Sequence, residues 1–370
     1  MPDPLLKYKI GISLIPKIGP VLTKRLIAYC GSLEGVFKEN KRNLLKIPGI
    51  GKKLIDHIVS NNVLEQADKE IEYTEQNNIS VIFYLDNNYP QRLKQCEDAP
   101  VVIYAKGNTN FNKTKMLSIV GTRSATNYGR DLCNKLIDDL ALHGHDITII
   151  SGLAYGIDIC AHRAALHNNL ETIAVLGHGL SVIYPSVHKN TARQIVEKGA
   201  LVTEFMGSGT PEPQNFVKRN RIIAGLADAT IVIESGEKGG ALITADIANS
   251  YNRDVFAYPG KVNDKYSIGC NKLIKTNKAA LIEDINDLEY IMGWQNENKK
   301  NVIAQKKLFV ELNEEESTIM ELFDDNQELS IDQIAINSNM PLSKISFLLI
   351  NLEFNGLLKC LPGKVYKKIG

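Results

Sequence analysis

Short apolar runs, rich in β-branched residues, recur along the middle of the chain at Met116–Val120, Ile147–Ile150, Thr172–Leu176, Leu201–Thr203, Thr230–Ile233, Val255–Tyr258 and Ala279–Ile282. Between them lie stretches with helical periodicity, among them Asn127–Leu142, Ile157–Asn168 and Leu242–Tyr251. Continuous apolar strands separated by helices predict an α/β domain, with a parallel sheet covered on both faces. Nearly every predicted strand runs into a Gly- or Ser-rich loop, where open α/β sheets place their ligands. Upstream, residues 63–77 read as a connecting helix, Ser80–Leu85 as a strand and Val101–Tyr104 as the end of a lead-in segment.

The two ends of the chain have other patterns. Two N-terminal segments resemble each other, Leu14–Ile27 and Lys46–Ile58, and each sets Pro and Gly in a tight turn before a short amphipathic helix. After Trp294 a polar run, Gln-Asn-Glu-Asn-Lys-Lys-Asn, reads as a linker. Three helices are predicted beyond it, at about 314–325, 331–338 and 342–355, and then two short strands about Pro362-Gly363. Three helices and a hairpin are the parts of a winged helix. The expected organisation is a helical module over 1–75, a sheet domain over 76–293 with its lead-in at 76–112, a linker over 294–311 and a winged helix over 312–370.

Charge sharpens this picture. The 370 residues carry 43 Lys plus Arg against 42 Asp plus Glu, a formal net charge of +1. The balance is uneven, since residues 1–60 hold eleven bases and four acids, and residues 61–112 hold four and eight. A balanced total excludes a uniformly basic coat protein but leaves room for a local basic patch. No apolar stretch reaches the length of a membrane span, and the start, MPDPLLKYKI, has no apolar leader core. The six Cys are scattered and form no CxxC pair, which fits a reducing cytoplasm.

The candidate chemistry gathers at predicted strand ends. Ser118-Ile-Val-Gly-Thr-Arg-Ser-Ala-Thr126 leads from a buried strand into a helix at about Asn127. Gly121, the hydroxyls of Thr122 and Ser124, the forked charge of Arg123 and a helix N-terminus together suit a phosphate. The competing reading is a plain strand–helix turn whose Arg pairs with an acid. Ser151 and Gly152 open a second loop of this kind. Lys218-Arg-Asn-Arg221 puts three cations into four residues, with Asn220 among them, and reads as the start of a helix over 220–226. Cations at a helix start oppose the macrodipole and suggest an anion partner. Lys238 lies in a Gly-rich loop, and Lys261 and Asn271 follow the next strand. Glu204 and Glu234 end strands and are expected to pair with Arg219 or Arg221. Phe216 and Tyr155, beside the basic loops, are candidates for stacking on bases. His162 reads as structural, and His178 in Gly-His-Gly sits on a loop within reach of a ligand. The seven His form no metal-binding spacing. No GxGxxG, Walker A sequence, HExxH or Ser/His/Asp order appears, so no cofactor, metal or catalytic residue is assigned. Near the N-terminus, Lys52 and Lys53 follow the Pro48-Gly-Ile-Gly51 turn, which could aim backbone N–H groups and charge at a duplex phosphate.

Five of these segments in order resemble the DNA-processing protein A (DprA/Smf) family: residues 118–123, 151–162, 218–226, 239–245 and 255–260. The flanks agree with a helix-hairpin-helix (SAM-like) N-terminal module and a C-terminal winged helix. The resemblance implies a Rossmann-like domain that binds single-stranded DNA without sequence preference, forms a homodimer and helps load the RecA recombinase in natural transformation. It implies no enzymatic activity. It would place a DNA phosphate at Gly121, Thr122, Arg123 and Ser124, with Lys218, Arg219 and Arg221 in the same basic pocket. This chain departs from the usual family pattern at Val217 (commonly Pro), Gly239 (commonly Ser) and Asn252 (commonly Gly). The alternative is a nucleotide-binding enzyme of the nucleoside-monophosphate phosphoribohydrolase type. That class would need a Pro-Gly-Gly-x-Gly-Thr loop, where this chain has Gly236-Glu-Lys-Gly-Gly240.

Overall fold

The computed structural model describes residues 3–59, 62–294, 312–323, 328–355, 357–361 and 364–368. The chain divides into two compact units, residues 1–295 and 296–370.

The first unit begins with six helices, α1 (Leu6–Ser13), α2 (Pro20–Cys30), α3 (Leu33–Lys38), α4 (Lys41–Leu44), α5 (Lys52–Val59) and α6 (Asn62–Gln76). Local sequence explains their ends. Pro20 opens α2, and Gly31 closes it at φ 74°, where a residue without Cβ carries no steric cost. Ser32 and Asn40 cap α3 and α4 through bonds to the N–H of Gly35 and Asn43, each 2.9 Å. The apolar faces of these helices meet in one core containing Ile12, Leu26, Val36, Leu44, Ile55 and Ile58. That core also contains Phe83, Val102 and Tyr104 of the neighbouring sheet edge. The N-terminal segment is therefore continuous with the sheet domain.

The sheet has nine strands in the order β1-β2-β6-β5-β4-β3-β7-β8-β9. They are β1 (Ser80–Phe83), β2 (Val102–Gly107), β3 (Lys115–Val120), β4 (Ile147–Ser151), β5 (Glu171–Val175), β6 (Ala200–Thr203), β7 (Ala229–Val232), β8 (Asp254–Ala257) and β9 (Ala280–Leu281). The connecting helices are α7 (Gln91–Lys94), α8 (Asn127–Leu142), α9 (Ile157–His167), α10 (Lys189–Lys198), α11 (Pro213–Leu226), α12 (Gly240–Ser250), α13 (Ile268–Lys275) and α14 (Ile285–Met292). β3 through β9 are mutually parallel, as the pattern predicted, and β1 and β2 add an antiparallel edge. The lead-in segment thus completes the sheet.

Alternation along β3 shows why the sheet needs two covers. Met116 and Val120 enter one core and Leu117 and Ile119 the other. Ser118 faces no open solvent and donates its hydroxyl to Thr230 of β7 at 2.9 Å, which satisfies a polar group in the sheet centre. The chain winds from β3 outward through β4, β5 and β6, then restarts on the other side at β7. The β3/β7 boundary is therefore the switch point, where adjacent loops diverge and leave a crevice.

One prediction from sequence changes here. α11 starts at Pro213, seven residues before the predicted start at Asn220. Pro213 supplies the pre-set φ of a first helical position. Lys218, Arg219 and Arg221 consequently lie inside the helix, with Lys218 exposed, Arg219 buried and Arg221 partly buried, and the argument from the macrodipole does not apply to them.

The second unit contains α15 (Glu314–Met320), α16 (Ile331–Ser338), α17 (Leu342–Phe354) and a sheet of β10 (Glu328–Ser330), β12 (Val365–Lys368) and β11 (Leu358–Leu361), in that spatial order. Capping boxes at Asn313/Glu316 and Ser330/Gln333 start α15 and α16. This is the predicted winged-helix arrangement, with a third strand before α16. The predicted linker beyond Trp294 and the Pro362-Gly363 turn lie outside the described residues. Among the described residues, no helix is long and apolar enough to cross a membrane.

Candidate nucleic-acid interface

A cleft of about 310 Å³ opens at the β3/β7 switch point. Its walls are the loop after β3 (Gly121, Thr122, Arg123), the flank of α11 (Phe216, Arg219, Asn220) and the first turn of α12 (Gly239, Gly240), with Asp158 at its base.

Glu234, at the end of β7 and 1% exposed, fixes the β3 loop. Its backbone carbonyl accepts the N–H of Thr122 at 2.8 Å. Its carboxylate accepts the N–H of Thr126 at 2.9 Å and the Thr126 hydroxyl at 2.5 Å. Thr126 is also the N-cap of α8. The helix start that sequence offered to a phosphate is therefore already occupied by a built-in anion. This carboxylate clamps a loop and pairs with neither Arg219 nor Arg221.

The α12 start takes over the open role. Its N-cap, Gly239, has no side-chain cap, and its first turn lines the cleft. Uncapped N–H groups at a helix start attract an anion. A Cβ on Gly239 would lie 2.2 Å from the Ser235 hydroxyl, so Ser235 fills the space that the commoner Ser at 239 would need. The other two departures also have local reasons. Asn252 adopts φ 55°, a left-handed conformation that Asn tolerates. Val217 lies within α11, where Pro would remove a helical hydrogen bond.

Arg219 is 4% exposed beneath the cleft. Its guanidinium donates to the carbonyl of Gly152 at 2.6 Å and to that of Val175. A Cβ on Gly152 would meet that guanidinium at 2.3 Å and the Asp158 carboxylate at 2.5 Å, which explains the glycine. Burial lowers the Arg219 pKa to about 10, so it remains charged at neutral pH, and the nearby Asp158 carboxylate opposes that fall. Burial raises the Asp158 pKa, while Arg219 and then Arg123 pull it down. The cleft thus has a positive floor partly balanced by one acid.

Arg123 is exposed at the rim, its guanidinium 5.9 Å from the centre of the Phe216 ring. Ser124 is exposed beside it, and Lys218 is exposed on α11. Lys238 and Lys261 are exposed on the loops after β7 and β8. Other predicted residues are engaged elsewhere. Arg221 pairs with Glu204 and donates to the Asp98 carbonyl at 2.8 Å, so it ties α11 to β6 and the lead-in segment, away from the cleft lining. The Ser151 hydroxyl donates to the Ile119 carbonyl at 2.6 Å inside the sheet. Asn271 brackets Gly260 with two bonds, 2.9 and 3.1 Å, and shapes the loop of Lys261. His162 is fully buried against the Thr172 hydroxyl at 2.7 Å, as expected of a structural residue. His178 is fully buried as well and faces its neighbour's carbonyl. Lys52 and Lys53 open α5 on the surface.

Sequence reading missed one aromatic. Tyr184 is 50% exposed, and its ring lies 5.7 Å from Phe216. Tyr155, 49% exposed, rests edge-on against His188 at 5.1 Å. The loops after β4 and β5 therefore present two exposed rings, each propped by a second ring, beside Arg123. The available signal for Tyr184 was an aromatic in a loop following a predicted strand.

Sequence spacing also gave no hint that His143, His145 and Glu289 converge, with ligand atoms within 4.8 Å of one another. They lie at the opposite end of the sheet from the cleft. Lys115 sits 2.9 Å from His145 Nδ1. An ammonium can only donate, so the ring proton lies on Nε2 and faces Glu289 at 2.6 Å.

Comparison with known proteins agrees with this architecture. The model of the family described as DNA recombination-mediator protein A matches residues 80–292. The chain belongs to this family. A SAM-like helix-hairpin-helix tandem matches residues 12–60 and the DprA winged helix domain matches 310–364. Protein Smf of Synechocystis is 32% identical over 98% of both chains. The DNA processing protein DprA of Streptococcus pneumoniae is 41% identical over 52% of this chain and 67% of its own. A crystal structure of DprA from Streptococcus pneumoniae superposes with a TM-score of 0.60 at 31% identity, covering 76% of this chain and 95% of that one. DNA processing protein A from Helicobacter pylori, studied for its single-stranded DNA binding mode, gives a TM-score of 0.53 at 27% identity over 58% and 96%. The family, the Rossmann-like sheet and both flanking domain types are thus those the sequence motifs indicated.

Proposed function

We propose that this DprA/Smf family member binds single-stranded DNA, without sequence preference, across the cleft at the β3/β7 switch point. The observation that carries the reading is the pairing of Arg123 with an uncapped α12 start across one cleft, over the buried charge of Arg219. Phosphates are held by Arg123 and Lys218, by the exposed Ser124 hydroxyl on the loop that follows Gly121 and Thr122, and by the first turn of α12. Lys238 and Lys261 extend the positive rim. Arg219 acts from below as a fixed charge. Ser151, Gly152, Asn220 and Asn271 shape the loops around the strand. Arg221 is assigned an architectural role. Bases turn toward Phe216, Tyr184 and Tyr155, whose faces stack on any base and so give no sequence preference.

The role is one of binding rather than catalysis, in a cytoplasmic homodimer that helps load the RecA recombinase during natural transformation. Lys52 and Lys53 add weak contacts to duplex DNA. The Helicobacter pylori relative, described for its single-stranded DNA binding mode, supports the single-strand part of this reading.

Fluorescence anisotropy with labelled oligo-dT tests it. Arg123→Ala and Lys218→Ala should each weaken binding by about tenfold or more, a loss of about 1.4 kcal/mol or more, with an unchanged circular dichroism spectrum. Wild-type affinity in both variants would refute the pocket assignment. Co-precipitation with the cognate recombinase tests the loading role.

A further inference from the structure

The cleft at the switch point does not end at α12. A second cavity of about 480 Å³ lies between α12 and α13 and shares Gly239 and Ile243 with the cleft, so the two are continuous across the first turn of α12. The crossing is bare backbone. A Cβ on Gly240 would meet no atom within 4 Å, and Gly240 does not adopt a positive φ. Neither packing nor conformation inside the protein therefore requires a glycine at this point, whereas the close approach of a ligand would.

The groove beyond the crossing is amphipathic. Leu242 is half-buried and Leu273 buried in its lining, and Ile243 is 41% exposed where the two cavities join. Lys238 and Lys272 are exposed at its rim. Among the described residues neither makes an ion pair, whereas Lys278 is paired with Asp246 at 2.8 Å. Glu237 is the one acid of the lining that has no ion-pair partner. Two uncompensated cations thus stand against one uncompensated carboxylate, above an aliphatic surface.

We propose that a single strand held in the cleft continues over Gly239 and Gly240 into the α12–α13 groove, which binds further nucleotides of the same strand. This rests on the reading of the cleft as a phosphate site. Lys272 and Lys238 take phosphates, and the aliphatic surface of Leu242, Ile243 and Leu273 takes the faces of bases. Contact of that kind reads no base edge, so the extension adds affinity without adding sequence preference. Continuity and charge select the occupant. A polyanion anchored at the start of α12 meets unpaired cations on the far side of that same turn, and a chain of nucleotides fills both cavities where a mononucleotide fills one. Binding at the second cavity is then intramolecular, so affinity rises with the length of the strand.

The test is an anisotropy titration of the full-length protein with labelled oligo-dT of two lengths, about 4 and about 16 nucleotides, which bracket the span of typical single-strand sites. Lys272→Ala should weaken the long probe by about threefold or more and make its slope of log affinity against log salt shallower by about 0.7, the value for one phosphate. It should leave the short probe, which the cleft alone accommodates, unchanged. Glu237→Gln should act in the opposite direction and tighten the long probe, a gain that a merely structural role would not produce. Both side chains are exposed, so neither substitution disturbs the core. Light scattering on the same samples reports the oligomeric state. Wild-type affinity for the long probe in both variants, while Arg123→Ala still weakens both probes, would overturn the groove and leave the cleft standing. A loss in Lys272→Ala that accompanies a change in oligomeric state would assign the groove to a second copy of the chain and also overturn the proposal. Wild-type binding of both probes by Arg123→Ala is the separate result that would overturn the cleft reading itself.

Discussion

Arg219 illustrates how a residue's position in the fold changes its meaning. In the sequence it is one of three clustered cations. In the fold it is a buried charge held by two carbonyls, and Gly152 exists to admit it. Gly152→Ala should therefore lower stability by about 1–3 kcal/mol in urea unfolding, because the added methyl has no space. Unchanged stability would mean the guanidinium is not confined there. Burial lowers the His162 pKa from 6.5 to about 3. Below pH 6.5 the unfolded chain takes a proton that the folded protein refuses, so this residue makes stability fall as pH drops from about 6.5 toward 3. His162→Gln should flatten the stability profile over that window, as followed by thermal melts at stepped pH. At this scale Arg123 was legible, because charge, small hydroxyls and a strand end coincide in sequence. The burial of Arg219 and the diversion of Arg221 to Glu204 were not legible, because they depend on where α11 begins and which face of it meets the sheet.

Among the elements, the open helix start that sequence placed at α8 is found at α12. Both start just after a strand flanking the switch point. At α8 the Glu234 carboxylate supplies the anion, while α12 begins at an uncapped glycine facing the cleft. Strand positions were readable to within a residue or two from β-branched runs, since a doubly covered parallel sheet leaves a continuous apolar signature. The start of α11 was not legible because its first turn, Pro213-Gln-Asn, carries no apolar periodicity. The Ser235/Gly239 pair yields a test at this scale. Gly239→Ser alone should destabilise by about 1–3 kcal/mol through its clash with the Ser235 hydroxyl. Adding Ser235→Gly should recover most of that loss, a coupling measurable in a double-mutant cycle. Simple additivity would show that the two positions do not share one space.

Across the whole molecule, the near-zero net charge conceals local contrasts: a basic N-terminal segment, a balanced sheet domain with a charged cleft, and an acidic C-terminal unit. The helices of the first segment share a core with β1 and β2. Deleting residues 1–60 should expose Phe83, Val102 and Tyr104 and lower the melting temperature of what remains, so Lys52→Glu with Lys53→Glu is the cleaner probe of duplex binding. A deletion that melts like the full chain would contradict the shared core. Domain types were legible along the chain because each carries its own periodicity and turn chemistry. The merging of the first two was not, since no local pattern reports which apolar faces meet. The most direct test of the central claim is the salt dependence of oligo-dT binding, measured for the wild type and Arg123→Ala. If Arg123 holds a DNA phosphate, the variant binds more weakly and its slope of log affinity against log salt is shallower by about 0.7, the value for one phosphate on a single strand. An identical affinity and slope for the two proteins would contradict the account.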